Sequence, residues 1–126
     1  MSLGKVLVVE DERSLSEALV RKFTHEGFDV MVENNGEDGL STALREKPDI
    51  ILLDLKMPKL DGMTALQHLR KDTLYGKDAK VIILTNSYDV DKIGEATNLG
   101  VFDYFIKSDS PISEIVTKVK DRLGLK

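Results

Sequence analysis

Acidic, hydroxyl and ammonium side chains stand where short apolar segments of this chain end. Three carboxylates that lie close together repel one another unless a cation lies among them, and oxygen ligands select a hard cation such as Mg²⁺ or Mn²⁺. A hydroxyl and an ammonium beside such a cation can bind the oxygens of a phosphoryl group, and a carboxylate can accept that group. The residues concerned are Glu10, Asp11, Asp54, Thr85 and Lys107.

The apolar segments that carry these residues have the pattern of buried strands. Three of them are apolar at consecutive positions and rich in β-branched residues, which is typical of parallel strands covered on both faces. They are Val6–Val9, Ile50–Leu53 and Val81–Leu84, and Asp29–Glu33 and Val101–Ile106 are two weaker strand candidates.

Amphipathic helical periodicity follows each predicted strand. The fourth helix is marked by Val90, Ile93 and Ala96, and Ser110 followed by Pro111 predicts the N-cap and first turn of the fifth. Five strand–helix units are too few for a barrel. They predict an α/β fold with a doubly wound, five-stranded parallel sheet of order 2-1-3-4-5, the flavodoxin-like arrangement.

This strand order brings the ends of strands one, three, four and five together at one edge of the sheet. Asp54 ends the central strand and is therefore the best candidate for a phosphoryl acceptor. Taken singly, such residues have simpler roles, because an aspartate at a strand end is usually a turn or cap residue. We expect Glu12 to be a surface residue, and His25 and His68 to be surface or packing residues without metal.

Composition excludes several other classes of protein. The 126 residues fit one domain, and the absence of cysteine rules out disulfides and thiolate chemistry. A net charge of −4, from 18 basic and 22 acidic residues, lacks the basic excess of a nucleic-acid binder. With no membrane-length apolar run and no signal peptide in the chain, we expect a cytoplasmic protein that binds neither nucleic acid nor membrane.

Four segments closely resemble the receiver domain of two-component response regulators. The resemblance runs over essentially the whole chain, so one receiver domain over residues 1–126 is expected. It implies that Asp54 accepts a phosphoryl group and that Thr85 and Lys107 bind its oxygens. The segments are Val6–Glu12, Asp54–Gly62, Ile82–Thr85 and Gly100–Lys107.

The same resemblance implies a metal site and a switch. Glu10 and Asp11 would hold Mg²⁺ together with Asp54 and the backbone carbonyl of Lys56, with Mn²⁺ as a substitute. Tyr104 and Thr85 would form the switch, in which Tyr104 changes rotamer together with Thr85. Pro58 and Gly62 would shape the acceptor loop, and we expect Gly62 to have a positive φ.

Three residues depart from the pattern of the family. Ser108 follows Lys107 where proline is usual, and we predict a trans bond there because a cis bond before a non-proline residue costs about 2.5–4 kcal/mol. Asn86 replaces a small residue and predicts slow self-dephosphorylation, because it narrows the path of the attacking water. Glu10 replaces aspartate, a common variant that leaves the metal site intact.

The expected function is that of a stand-alone switch rather than an enzyme with an external substrate. A sensor histidine kinase or a phosphotransfer protein would supply the phosphoryl group. The surface of the fourth helix, fifth strand and fifth helix would bind an unknown downstream protein or a second copy of the chain. Whether the chain signals alone or belongs to a longer protein stays open at this point.

Two other functions stay open, the first of which shares this strand order. A flavodoxin-like redox domain would bind FMN, although the acidic segment Glu10–Glu12 would repel the phosphate of that cofactor. An aspartyl-phosphate phosphatase would usually carry a second aspartate two residues after the nucleophile, where this chain has Lys56.

Overall fold

Five strands alternate with five helices in the computed structural model, which describes residues 2–86, 89–107 and 110–125. The strands are β1 (Lys5–Val9), β2 (Asp29–Glu33), β3 (Ile50–Asp54), β4 (Val81–Thr85) and β5 (Asp103–Ile106). The helices are α1 (Arg13–Glu26), α2 (Gly36–Glu46), α3 (Gly62–Arg70), α4 (Val90–Asn98) and α5 (Ile112–Arg122).

The sheet has the order β2-β1-β3-β4-β5 with every pair parallel, as the sequence predicts. Every residue of β3 and β4 is buried, which explains their unbroken apolar pattern. Asp54 is level with Leu84, and Thr85 is level with Ile106 in the next strand. The carboxyl ends of three neighbouring strands therefore lie side by side.

Helices cover both faces of the sheet and bury a core on each side. One core contains Leu19 and Phe23 of α1 together with residues of α5, and the Phe23 and Phe28 rings meet edge to face at 5.5 Å. The other contains Leu66 of α3 together with residues of α2 and Ala96 of α4. Each fully buried large side chain contributes about 1.5–3 kcal/mol, so these two layers hold the strand ends in place.

One prediction about the helices is wrong. α5 begins at Ile112 rather than Pro111, because Pro111 has an extended ψ of 146° and is itself the N-cap residue. The helix marked by Val90, Ile93 and Ala96 is present as α4, although Val90 is 71% exposed. The first turn of α4 extends beyond the packed layer, whereas Ala96 in its second turn is fully buried.

None of the helices in the described parts of the chain combines the length and the apolar character that a membrane crossing requires.

Candidate functional site

Three of the predicted site residues are buried at the carboxyl ends of neighbouring strands. Glu10 follows β1 and is only 1% exposed, Asp54 ends β3, and Thr85 ends β4. Asp11 is exposed, but one of its carboxylate oxygens lies within 4.8 Å of a carboxylate oxygen of Glu10 and of Asp54. The structure therefore brings together the three acids that the sequence singled out.

Lys107 extends its ammonium into this group of acids, and its side chain is only 7% exposed. Its Nζ lies 3.0 Å from Asp54 Oδ2, to which it donates a hydrogen bond, and 2.6 Å from Glu10 Oε1. A third acid, Glu12, is more than half exposed as expected, yet its Oε2 lies 3.9 Å from the same Nζ. The backbone N–H of Lys107 donates to the carbonyl of Thr85 at 2.7 Å, which holds the end of β5 against β4.

The carboxylates outnumber the cations in this pocket. The pKa of Glu10 is raised to about 7, chiefly by burial and also by the charge of Asp54, although Lys107 and the Glu12 N–H at 2.9 Å oppose the shift. Burial lowers the pKa of Lys107, but its contacts with Glu10 and Asp54 outweigh burial and hold it above its usual value. The lysine thus stays charged, and the uncompensated charge is carboxylate.

One atom shows this imbalance directly. Glu10 Oε1 is buried and lacks an aligned hydrogen bond among the described residues, although the Lys107 ammonium is close to it. A buried carboxylate oxygen without an aligned donor is costly. A carboxylate oxygen is also the kind of ligand that hard cations prefer.

The loop after β3 is shaped by a close approach at its far end. Gly62 donates its N–H to Leu55 O at 2.8 Å, and a Cβ on Gly62 would lie 2.0 Å from the carbonyl oxygen of Asp54. Its φ is not positive, which corrects our expectation, and the residue with a positive φ in this loop is Lys59, at 67°. Glycine is required at position 62 for lack of space. The loop also lets Asp54 Oδ1 accept a hydrogen bond from the Lys56 N–H at 3.2 Å.

The remaining predicted residues lie around this pocket. Tyr104 lies on β5, level with Ile83 of β4. It is half-buried and packs against the core under α2, α3 and α4. The side chains of Lys56 and Asn86 are exposed. Ser108 lies outside the described residues, as does Ser87, so the predicted trans bond after Lys107 stays a prediction.

The counter-ion role of Lys107 was missed at the level of sequence. The resemblance implies that the lysine binds phosphoryl oxygens, whereas the structure pairs it with Glu10 and Asp54. The signal was present, since one lysine and three acids follow adjacent strands, but only the strand register shows which acids the ammonium reaches.

A family model described as the response regulator receiver domain matches residues 6–120. The chain belongs to this family. It is therefore a receiver domain of the two-component class.

Individual relatives give the same assignment. The chain is 37% identical over 98% of its length to "Probable transcriptional regulator ycf27" of Porphyridium aerugineum, of which it covers 49%. It is 34% identical over 97% of its length to "Sporulation initiation phosphotransferase F" of Bacillus subtilis (strain 168), of which it covers 95%. The receiver domain thus spans about half the length of several curated relatives and nearly all of another.

A solved structure matches the fold closely. The receiver domain of a sensor histidine kinase from Pseudomonas aeruginosa PAO1 aligns with a TM-score of 0.81 at 26% identity. The alignment covers 96% of this chain and 98% of that chain, and that crystal structure has a magnesium ion coordinated in its active site cleft.

Proposed function

We propose that this receiver domain, taken as residues 1–126, accepts a phosphoryl group on Asp54 in a Mg²⁺-dependent reaction. The donor is a phosphohistidine of a sensor histidine kinase or of a phosphotransfer protein. A carboxylate oxygen of Asp54 bonds to phosphorus while the P–N bond of the donor breaks. The donor imidazole leaves with the electron pair of that bond and takes up a proton. Water later attacks phosphorus, which releases inorganic phosphate and restores the carboxylate.

The observation that carries this proposal is the contact between Asp54 and Lys107. The Asp54 carboxylate lies at the end of the central strand with the Lys107 ammonium 3.0 Å away. When the acceptor oxygen becomes bonded to phosphorus, the ammonium can turn to a phosphoryl oxygen without a large movement. The neighbouring Thr85 would donate its hydroxyl to another of those oxygens.

The residues present fit a hard divalent cation. The carboxylates of Glu10, Asp11 and Asp54 and the backbone carbonyl of Lys56 would hold Mg²⁺, or Mn²⁺ in its place. The buried Glu10 oxygen that lacks an aligned donor supports this assignment. When bound, Mg²⁺ supplies positive charge to the phosphoryl oxygens.

The output of the domain would be a change in a binding surface. Thr85 ends β4 beside β5, and Tyr104 lies on β5, so a shift of the threonine toward the phosphoryl group changes the room available to the tyrosine ring. We propose that the surface of α4, β5 and α5 then binds a downstream protein or a second copy of the chain. In this proposal the domain acts on no external substrate and binds no nucleic acid itself.

The alternatives have less support. Membership of the receiver family argues against the FMN-binding redox domain. An exposed lysine, Lys56, stands where an aspartyl-phosphate phosphatase usually carries its second aspartate.

Intact-mass measurement with acetyl phosphate tests the acceptor. We expect the wild-type protein to gain the mass of one phosphoryl group in the presence of Mg²⁺ and to lose this gain with a chelator. Asp54→Asn should gain none, whereas Asp61→Asn should behave as wild type, because Asp61 lies in the same loop and asparagine preserves its cap of the Thr64 N–H. A phosphoryl gain in Asp54→Asn at the wild-type rate would overturn the assignment.

A further inference from the structure

The guanidinium of Arg70 binds four backbone carbonyls in two separate segments. Arg70 is the last residue of α3. Its Nε donates to Leu99 O at 2.6 Å and its Nη2 to Gly100 O at 3.2 Å, while its Nη1 donates to both Gly76 O and Ala79 O at 2.8 Å. All four acceptors are main-chain oxygens rather than carboxylates. One planar side chain therefore joins the end of α3 to two segments that are otherwise distant in sequence.

The first of these segments is the end of α4. Besides Arg70, a hydrogen bond from Gln67 Nε2 to Glu95 Oε2 at 2.8 Å joins α3 to α4. α4 has nine residues, among which Ala96 is fully buried and Val90 is largely exposed. A helix this short is marginal by itself and needs packing or caps. The last carbonyls of α4 form the negative end of the helix dipole and accept hydrogen bonds from the N–H groups of residues 99–101. Arg70 binds the next two carbonyls, those of Leu99 and Gly100. Leu99 is the C-cap residue, so the Arg70 cation lies where it stabilises α4 most.

The second segment is a tight turn after α3. The Asp72 carboxylate accepts hydrogen bonds from the N–H groups of Tyr75 and Gly76 at 2.8 and 2.7 Å. A Cβ on Gly76 would lie 1.9 Å from the carbonyl oxygen of Leu69. This turn is therefore closely packed against α3, and it gives Arg70 a fixed base from which to hold α4.

We propose that Arg70 is a positioning residue that fixes the C-terminal end of α4 to α3, so that α4 moves chiefly at its N-terminal end. That end follows Thr85 in the chain and begins at the Asp89 cap, whose carboxylate accepts from the N–H groups of Asp91 and Lys92. The anchoring half of the proposal concerns the unmodified protein. The movement half rests on the proposed function, because it assigns a pivot to the output surface.

Amide hydrogen exchange in the metal-free protein tests the anchor. We expect Arg70→Met to speed exchange at the amides of Leu99, Val101 and Lys77 by about tenfold or more, because the carbonyls that Arg70 binds lose their donors. Exchange in β1 should be unchanged. Arg21→Met is the matched control, since Arg21 is exposed on α1 and makes none of these contacts.

Arg70→Lys keeps the positive charge but removes the planar guanidinium that donates several hydrogen bonds. This variant tests the anchor even if Arg70→Met folds poorly. A single ammonium cannot reach two segments in this geometry, so we expect faster exchange at both sets of amides here also. Wild-type exchange in Arg70→Lys would overturn the proposal. So would an equal increase in all five helices, because that result shows global destabilisation rather than a local anchor.

Beryllofluoride with Mg²⁺, a mimic of the phosphoryl group, tests the pivot by amide chemical shifts. In the wild-type protein we expect larger changes at residues 90–93 than at residues 97–101. In Arg70→Lys the changes at 97–101 should rise to a similar size. Equal changes at both ends of wild-type α4 would overturn the pivot, whereas no response anywhere would overturn the proposed function and leave the exchange result standing.

Discussion

Two ion-pair clusters in this protein have opposite ratios of cation to carboxylate. At the strand ends, Lys107 alone faces Glu10 and Asp54. At the junction of α1 and α5, Glu26 alone faces two ammonium groups, with Lys120 close to one of its oxygens and Lys22 3.4 Å from the other. The pKa shifts follow these ratios.

The two glutamates shift in opposite directions for a physical reason. Burial raises the pKa of Glu10 to about 7, because one ammonium does not offset the loss of water and the charge of Asp54. The contact with Lys120, supported by Lys22, lowers the pKa of Glu26 in its more exposed position. The first cluster is therefore short of one cation, which is the property of a binding site, while the second is complete.

The largest expected difference concerns Lys107→Met and Lys120→Met. Removing the Lys107 ammonium deprives the phosphoryl oxygens of a preorganised cation, so we expect uptake from acetyl phosphate to slow by about a hundredfold. Lys120→Met should leave uptake unchanged. The measurement is the rate of phosphoryl gain by intact mass at saturating Mg²⁺. If Lys107→Met gains its phosphoryl group as fast as the wild-type protein, the proposed role of Lys107 is wrong.

The next largest effect is the pH dependence of Mg²⁺ binding. Glu10 must lose its proton to bind metal, so we expect the affinity to rise about tenfold between one unit below and one unit above its pKa of about 7. The pH dependence of folding stability has the opposite sign to that of Mg²⁺ affinity. Without metal, the raised pKa makes this group's contribution to stability fall as pH rises from 4.5 to about 7.

Calorimetric titration with Mg²⁺ at several pH values around 7 measures how the affinity changes with pH and whether Glu10 causes the change. Glu10→Gln should bind Mg²⁺ more weakly, and its affinity should not depend on pH in this range. Glu26→Gln should keep the pH dependence of the wild-type protein, because the pKa of Glu26 lies below its usual value and the group is ionised throughout. A flat profile in the wild-type protein would show that Glu10 binds no metal.

A smaller effect is expected at the rim of the strand-end cluster. Asn86 is exposed and directly follows Thr85, next to the path of a water that attacks phosphorus. We expect Asn86→Ala to lose its phosphoryl group about threefold faster, since moving one ordered water is worth ~0–2 kcal/mol. Phosphate-release kinetics measure this, and a lifetime equal to or longer than that of wild type would refute the obstruction argument.

The smallest effect is expected from the complete cluster. Lys120→Met should lower the free energy of unfolding only slightly, and salt should reduce the difference, because partly exposed pairs are screened. Glu26 has a depressed pKa, so its contribution is present above its usual pKa and is lost as pH falls through the lowered value. Urea unfolding at neutral and acidic pH measures both trends. If Lys120→Met lowers the free energy of unfolding as much as Lys107→Met does without metal, the two clusters do not differ in the way described.

The strand-end cluster was readable from the sequence because strand order alone brings it together. The apolar runs predicted β1, β3 and β4 to within one residue at each end, and the acids follow from where those runs stop. Less could be predicted where two distant segments meet. The requirement for Gly62 arises from the carbonyl of Asp54, and that for Gly36 from the carbonyl of Leu60, where a Cβ would lie 1.7 Å away. No local pattern carries either contact.

Helix faces were predictable only where packing follows periodicity. The spacing of Val90, Ile93 and Ala96 is helical, and the helix exists, but the first turn lies outside the packed layer. The hydrogen bonds of Arg70 were not predicted, because backbone acceptors leave no signature in the sequence. Arginine at a helix end is usually a solvated residue.

The two ends of α3 together restrict how this protein can vary in length. Gly62 at the first residue lies against the Asp54 carbonyl, and Arg70 at the last holds four carbonyls, with nine residues between and including them. Inserting or deleting one residue within the helix would turn one end relative to the other by about 100° and shift it by about 1.5 Å. The contact of Gly62 and the contacts of Arg70 cannot then both be made.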